Sequence, residues 1–167
     1  KNYRFYEADV RNFSEIKKII VKEKPDKIAH LASMVGVRYS VENPFIYEEV
    51  NVGGALNMLE LAKLFKIRKF VYASSSSVYG NSKKVPFSES QIPEPISPYA
   101  ATKVSGEALC RAYSHLYGLS CGCLRFFTVY GPRGRPDMAP YKFTKLIEEG
   151  KPIDVYGMPS PNLADFD

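Results

Sequence analysis

The residues Lys69-Phe70-Val71-Tyr72-Ala73 run directly into Ser74-Ser75-Ser76-Ser77. After a proline-rich loop over 85–98 the chain resumes with Tyr99-Ala100-Ala101-Thr102-Lys103. The near-continuous apolar run before the serines predicts a strand in a sheet covered on both faces. Working outward, residues 3–9 and 27–31 read as further strands. Residues 14–23 read as a helix, with Ile16, Ile19 and Ile20 at helical spacing and Ser14 as its N-cap. Asn43-Pro44 punctuates the chain, and 45–65 reads as one long helix with Val50, Leu56, Leu59 and Leu64 inward. Residues 99–117 form a second long helix, 119–127 a strand, 141–149 a helix and 153–156 a last short strand. Strands alternating with long helices predict βαβ crossovers and a parallel sheet. Ligands of such sheets bind beyond the carboxyl ends of the strands. That rule singles out Asp9, Ser33, Ser74 to Ser77 and Thr128.

Bulk composition narrows the class. The 167 residues are 45% hydrophobic and 25% charged, the balance of a globular domain that can bury a core. The net charge of +5 comes from lysines and arginines interspersed with acids, as in Glu15-Ile16-Lys17-Lys18, which reads as solvated helix faces and not a nucleic-acid surface. No apolar run approaches the ~18 residues of a membrane span. Lys1 to Phe5 lacks the apolar region of a signal peptide. Cys110, Cys121 and Cys123 lack the second pair that a zinc site needs, so they read as reduced thiols of a cytoplasmic protein, and no metal is expected. His30 on a buried strand and His115 between Tyr113 and Tyr117 read as packing residues.

Tyr99 and Lys103 are four residues apart, which puts them on one helix face a turn apart. Free tyrosine titrates near ~10, so it is a poor base at neutral pH, and a nearby ammonium favours its phenolate. A Tyr-x-x-x-Lys spacing alone is common on helix surfaces. Three contexts raise its weight here: the pair opens a helix after a long loop, a serine cluster ends the preceding strand, and both sit in a βαβ pattern.

These segments resemble the extended short-chain dehydrogenase/reductase family, and within it the UDP-sugar 4-epimerases, UDP-glucuronate 4-epimerases above all. The resemblance is carried by His30-Leu31-Ala32, Gly36-Val37-Arg38-Tyr39-Ser40, Asn51-Val52-Gly53-Gly54, Ser74 to Gly80, Ser97-Pro98-Tyr99-Ala100-Ala101-Thr102-Lys103 and Leu124 to Pro132. Gly134-Arg135-Pro136-Asp137-Met138 and Ile153-Asp154-Val155-Tyr156-Gly157 extend it to about residues 4 to 157. It implies a Rossmann-type doubly wound parallel α/β sheet. Residues 1–150 would be a partial NAD-binding domain, and 151–167 the start of a substrate-binding part. Against the family pattern, the first βαβ with its glycine-rich turn and most of the C-terminal substrate domain are expected to be absent, and Gly53-Gly54 does not replace that turn. Such a chain, tested alone, is expected to bind NAD weakly and to be inactive.

By the resemblance, Tyr99 is the base that takes the proton of the sugar 4-hydroxyl. Lys103 lowers its pKa and holds the nicotinamide ribose, and Ser75 hydrogen-bonds the reacting oxygen. Asp9 and Val10 match the pair beside the adenine. Leu31, Ala32 and Ser33 match the strand end along the dinucleotide, and Asn51, Ser74 and Phe127 match further cofactor contacts. Ser76, Ser77, Thr128, Arg135, Arg38 and Tyr156 match the substrate side. The implied reaction is NAD-dependent 4-epimerisation of a UDP-sugar through a 4-keto intermediate. The related 4,6-dehydratases carry Asp-Glu where this chain has Ser76 and Ser77, and decarboxylases a Glu at Ser77, so both chemistries lack their acids here. UDP-glucose/galactose epimerisation, UDP-glucuronate decarboxylation and a non-catalytic NAD- or nucleotide-sugar-binding scaffold stand as alternatives. Helices 45–65 and 99–117 match a homodimer contact in this family.

Overall fold

The computed structural model describes residues 3–154. Its elements are α1 (Phe13–Glu23), β1 (Lys27–His30), α2 (Val37–Glu42), α3 (Pro44–Tyr47), a π-helical segment (Glu48–Gly53) and α4 (Gly54–Leu64). They continue with β2 (Lys69–Ser75), a 3₁₀ turn (Ser76–Tyr79), α5 (Pro98–Tyr117), β3 (Ser120–Phe126) and α6 (Ala139–Glu148). β1, β2 and β3 form a parallel sheet in that order. The register sets His30 beside Tyr72, and Ser74 beside Arg125. Each connection is a crossover through helices, as parallel pairing requires.

The chain divides into two compact units, Lys1–Phe127 and Thr128–Asp167. This is a division of contacts, whereas the expected boundary at 150/151 separates two roles. In the first unit Ile20 of α1, Leu59 and Ala62 of α4, Ile28, Phe70 and Tyr72 of the sheet, and Cys110 and Tyr113 of α5 form one core. Each such large side chain contributes about 1.5–3 kcal/mol by leaving water. Gly106 lets α5 lie flat on β2: a Cβ there would stand 2.7 Å from Cε1 of Tyr72. Ser97 caps α5, accepting the Ala100 N–H at 3.1 Å, and Gly118 ends it at φ 66°, a left-handed position that suits glycine.

Several expectations are corrected. Residues 3–9 form no strand, because no described strand lies alongside to complete a ladder. The predicted strand 153–156 has no regular structure at 153 and 154, and its remainder lies outside the described residues. The N-cap of α1 is Asn12, whose side chain accepts from the Glu15 N–H, and not Ser14. The helix expected over 45–65 is divided by the π segment. Within α4 the face carrying Ala55, Leu59 and Ala62, one and two turns apart, is buried along with Leu61, while Leu56 and Leu64 are exposed. The sheet expected to be covered on both faces is covered on one among the described residues. β3 alternates accordingly, with Leu124 and Phe126 exposed and Cys123 packed on the core. His115 is exposed and does not pack. His30 is buried as expected, stacked on Tyr72 with ring centroids 6.0 Å apart, but its Nε2 has no hydrogen-bond partner among the described residues. Burial, with the nearby Lys103 charge adding to it, holds its pKa at about 4, so His30 is neutral at pH 7.

Candidate active site

The carboxyl ends of β1 and β2 face the first turns of α5, and Lys103 joins all three. Its side chain is 2% exposed. Nζ donates to Ser33 Oγ at 3.0 Å, just beyond β1, and to the Ala73 carbonyl at 2.8 Å on β2. Nζ also lies 5.7 Å from the ring centroid of Tyr99 and 5.4 Å from that of Tyr72, within cation–π range. Burial pulls its pKa down to about 8. An ammonium has three donors, and two are spent on protein oxygens. The third suits a ligand hydroxyl, so the lysine fits a ribose-type group beside the strand ends.

Tyr99 sits half-buried on the same face of α5, its ring edge-on to Tyr47 at 6.1 Å. The Tyr47 hydroxyl lies 2.6 Å from the Val35 carbonyl and 2.8 Å from that of Gly36, which anchors the β1–α2 loop next to Tyr99. Ser75 ends β2 and is 8% exposed. Its Oγ accepts the Ser77 N–H at 3.2 Å and lies 3.2 Å from Ser77 Oγ, so it caps the 3₁₀ turn. Ser76 and Ser77 occupy that turn, partly exposed, with no acid among them.

Asn51, in the π segment, is 1% exposed. Its Oδ1 accepts the Met34 N–H at 2.7 Å, and Nδ2 donates to the Met34 carbonyl at 3.1 Å and to Thr102 Oγ1 at 3.0 Å. The amide thus joins the β1–α2 loop to α5. The Ser74 hydroxyl donates to Glu107 at 2.5 Å. Leu31 and Ala32 are exposed beyond β1, an apolar shelf one residue from Ser33. Phe127, 55% exposed, stacks with Tyr79 and Phe87.

Asp9 and Val10 lie just before α1. Arg11 pairs with Asp9 at 2.6 Å and with Glu49 of the π segment at 3.0 Å, and holds the Asp9 carboxyl below the usual range. Val10 packs on Gly54, where a Cβ would stand 2.7 Å from Val10 Cγ2. Gly54 therefore serves close packing of this segment on α4. Arg38 is exposed in the first turn of α2. Thr128 and Arg135 belong to the second unit, where Arg135 pairs with Asp137. That unit has a cleft of about 620 Å³ lined by Tyr130, Arg135, Tyr141, Thr144, Lys145 and Glu148 among others. Tyr156 lies outside the described residues. Among the described residues no group of three or more His, Cys, Asp or Glu could hold a metal ion, and no helix is long and apolar enough to cross a membrane.

Sequence reasoning missed Tyr47, Glu107 and the roles of Arg125 and Thr102. Glu107 stands four residues beyond Lys103, a legible signal. Tyr47 gave none, because its hydroxyl meets carbonyls of a loop whose path was unknown.

Comparison with known proteins places the chain in a family. A family model described as GDP-mannose 4,6 dehydratase matches residues 1–155. A UDP-glucuronate 4-epimerase of Thermodesulfobacterium geofontis is 47% identical over 158 residues, covering 94% of this chain and 49% of that protein. The crystal structure of UDP-glucuronic acid 4-epimerase from Bacillus cereus with UDP-glucuronic acid and NAD superposes with a TM-score of 0.83 at 40% identity, over 92% of this chain and 48% of that one. UDP-glucose 4-epimerase of Thermus thermophilus with NAD gives a TM-score of 0.88 at 32% identity, over 97% and 54%. The chain thus spans about half the length of these relatives. A buried lysine one turn from a tyrosine at the carboxyl edge of a parallel sheet, and a family match over nearly the whole chain, lead to one assignment: the chain belongs to the GDP-mannose 4,6 dehydratase family of extended short-chain dehydrogenase/reductases.

Proposed function

We propose that the protein carrying this segment is an NAD-dependent UDP-sugar 4-epimerase acting on UDP-glucuronate. The observation that carries this reading is Lys103, buried between Ser33 and Ala73 with a donor to spare and one turn from Tyr99. NAD, when bound, supplies the acceptor and later the donor of the sugar C4 hydride. Tyr99 takes the proton of the 4-hydroxyl and returns it after the 4-keto sugar has turned. Lys103 holds the ribose through its third N–H and stabilises charge on the phenol oxygen as the proton leaves. Ser75 exchanges its bond to Ser77 Oγ for one to the reacting oxygen. Ser76 and Ser77 supply no acid or base for elimination and leave room for the sugar to turn.

Leu31, Ala32, Ser33 and Phe127 are the cofactor-side residues in this reading, with Asp9 and Val10 toward the adenine. Asn51 and Ser74 support that side through Met34, Thr102 and Glu107. Thr128, Arg135, Arg38 and Tyr156 serve the UDP-sugar. Exposed Phe45, Leu56, Leu64 and Leu116 on the helices expected at a dimer contact support a homodimer. A cytoplasmic enzyme making sugar precursors for polysaccharides fits this chemistry.

Product analysis with UDP-glucuronate and UDP-glucose tests the proposal. UDP-galacturonate as the main product is expected. UDP-xylose would mark decarboxylation, UDP-galactose formed in preference would reassign the sugar, and no turnover with either would remove the enzymatic reading. The 167 residues carry no glycine-rich turn to bring backbone N–H groups to a pyrophosphate. Calorimetry of this chain alone is therefore expected to detect weak NAD binding or none, and micromolar binding would contradict that.

A further inference from the structure

Helix α5 presents three ionisable side chains at successive turns of one face, Tyr99, Lys103 and Glu107. The chemistry above uses the first two. Glu107 is largely buried with Arg125, their side chains 14% and 17% exposed. Its Oε1 accepts the Ser74 hydroxyl at 2.5 Å and Arg125 Nε at 3.0 Å, and its Oε2 accepts Arg125 Nη2 at 2.9 Å. Ser74 and Arg125 are register partners on β2 and β3, so one carboxylate ties the helix to the ends of two strands. A buried ion pair adds little net stability, because desolvation offsets its attraction. A bidentate fork with a third contact does fix orientation.

What it orients is the strand end beside Tyr99. Lys103 holds the Ala73 carbonyl, Glu107 holds the Ser74 hydroxyl, and Ser75 is the next residue. Arg125 extends the contact to the following loop. Its guanidinium lies 4.9 Å from the Tyr79 ring centroid, and Nη1 donates to the Glu89 carbonyl at 3.3 Å. Tyr79 stacks on Phe87 at 4.9 Å with the rings parallel to within 1°, and the Glu94 N–H donates to the Val78 carbonyl at 2.9 Å.

We propose that Glu107 is a positioning residue: through Ser74 and Arg125 it sets where Ser75 stands relative to Tyr99 and holds the loop 81–97 against the 3₁₀ turn. The kinetic side of this proposal rests on the epimerase reading, while its structural side does not. The test uses the whole protein with Glu107→Gln, Ser74→Ala and Ser74→Thr. Glu107→Gln leaves Arg125 without its counter-charge. If it fails to fold, Ser74→Ala carries the test, since it removes one hydroxyl and unpairs no charge. Ser74→Ala is expected to lower kcat between about tenfold and a hundredfold with KM for the UDP-sugar unchanged. It is also expected to speed amide hydrogen exchange over 73–80 by about tenfold. Ser74→Thr, which keeps the hydroxyl, restores both. Unchanged kcat in Ser74→Ala, or a loss that Ser74→Thr does not recover, overturns the positioning role. If the unmutated protein has no epimerase activity, the functional reading fails, and exchange decides the clamp. Faster exchange over 73–80 in Ser74→Ala supports it, and exchange equal to the unmutated protein's overturns it.

Discussion

Replacing Lys103 by methionine removes a buried cation while keeping a linear side chain on α5. Its effect on stability should reverse with pH. Burial lowers the lysine pKa from 10.5 to about 8. That difference corresponds to about 3 kcal/mol, the cost of holding the ammonium away from water below pH 8. Between pH 8 and 10.5 the unfolded lysine keeps a proton that the folded one has lost, so this contribution to stability rises with pH. Methionine carries no such proton, but it leaves Ser33 Oγ and the Ala73 carbonyl without their donor, about 1 kcal/mol each. At pH 7 Lys103→Met should therefore be the more stable protein by about 1 kcal/mol. By pH 10 the unmutated protein should be ahead by about 1–2 kcal/mol. Urea unfolding followed by circular dichroism in reducing buffer, at pH 7, 8, 9 and 10, measures this. The quantity of interest is the difference between the two proteins, because burial holds the Tyr72 and Tyr113 hydroxyls above the usual tyrosine range, and the loss of stability this brings in alkali is common to both. A difference that stays constant from pH 7 to 10 would refute the burial argument. Loss of activity in the same variant would mark the lysine as kept for function at a cost in stability.

Other substitutions test the packing around the site. Gly106→Ala drives a methyl group into the Tyr72 ring and should lower stability by about 1–3 kcal/mol in thermal or urea unfolding. Adding Tyr72→Phe removes the hydroxyl at the point of collision, which has no hydrogen-bond partner among the described residues, and should recover part of that loss. No recovery would mean that the ring carbons, which phenylalanine keeps, carry the whole collision. Asn51→Ala leaves both backbone groups of Met34 without their side-chain partners and should cost about 2 kcal/mol, read by urea unfolding. A loss below about 0.5 kcal/mol would mean that water replaces the amide.

The fold was legible wherever local signals agreed with packing. Phe70 and Tyr72 alternate into the core as a strand should, and Ser97-Pro98 opens α5 with a hydroxyl cap and a proline that needs no N–H partner. Residues 3–9 have a strand's composition, but a strand requires a neighbour, and none of the described residues supplies it. The π segment was hidden because no local residue pattern distinguishes six π residues from a continuous helix, although the segment carries Asn51. At the site, the spacing of Tyr99 and Lys103 was readable, since four residues are one helical turn. What the lysine touches was not: Ser33 and Ala73 are 70 and 30 residues away in the chain. Glu107 and Arg125 likewise meet only through the β2–β3 register, which composition does not encode.

In the proposed reaction Tyr99 carries the proton, with Lys103 and Ser75 organised around it. Its most direct test is Tyr99→Phe in the whole protein, with UDP-glucuronate turnover and bound NAD measured on the same sample. Phenylalanine keeps the ring against Tyr47 and removes only the hydroxyl. Turnover is expected to fall by at least about a hundredfold while NAD remains bound. Turnover near that of the unmutated protein would mean that Tyr99 is not the base.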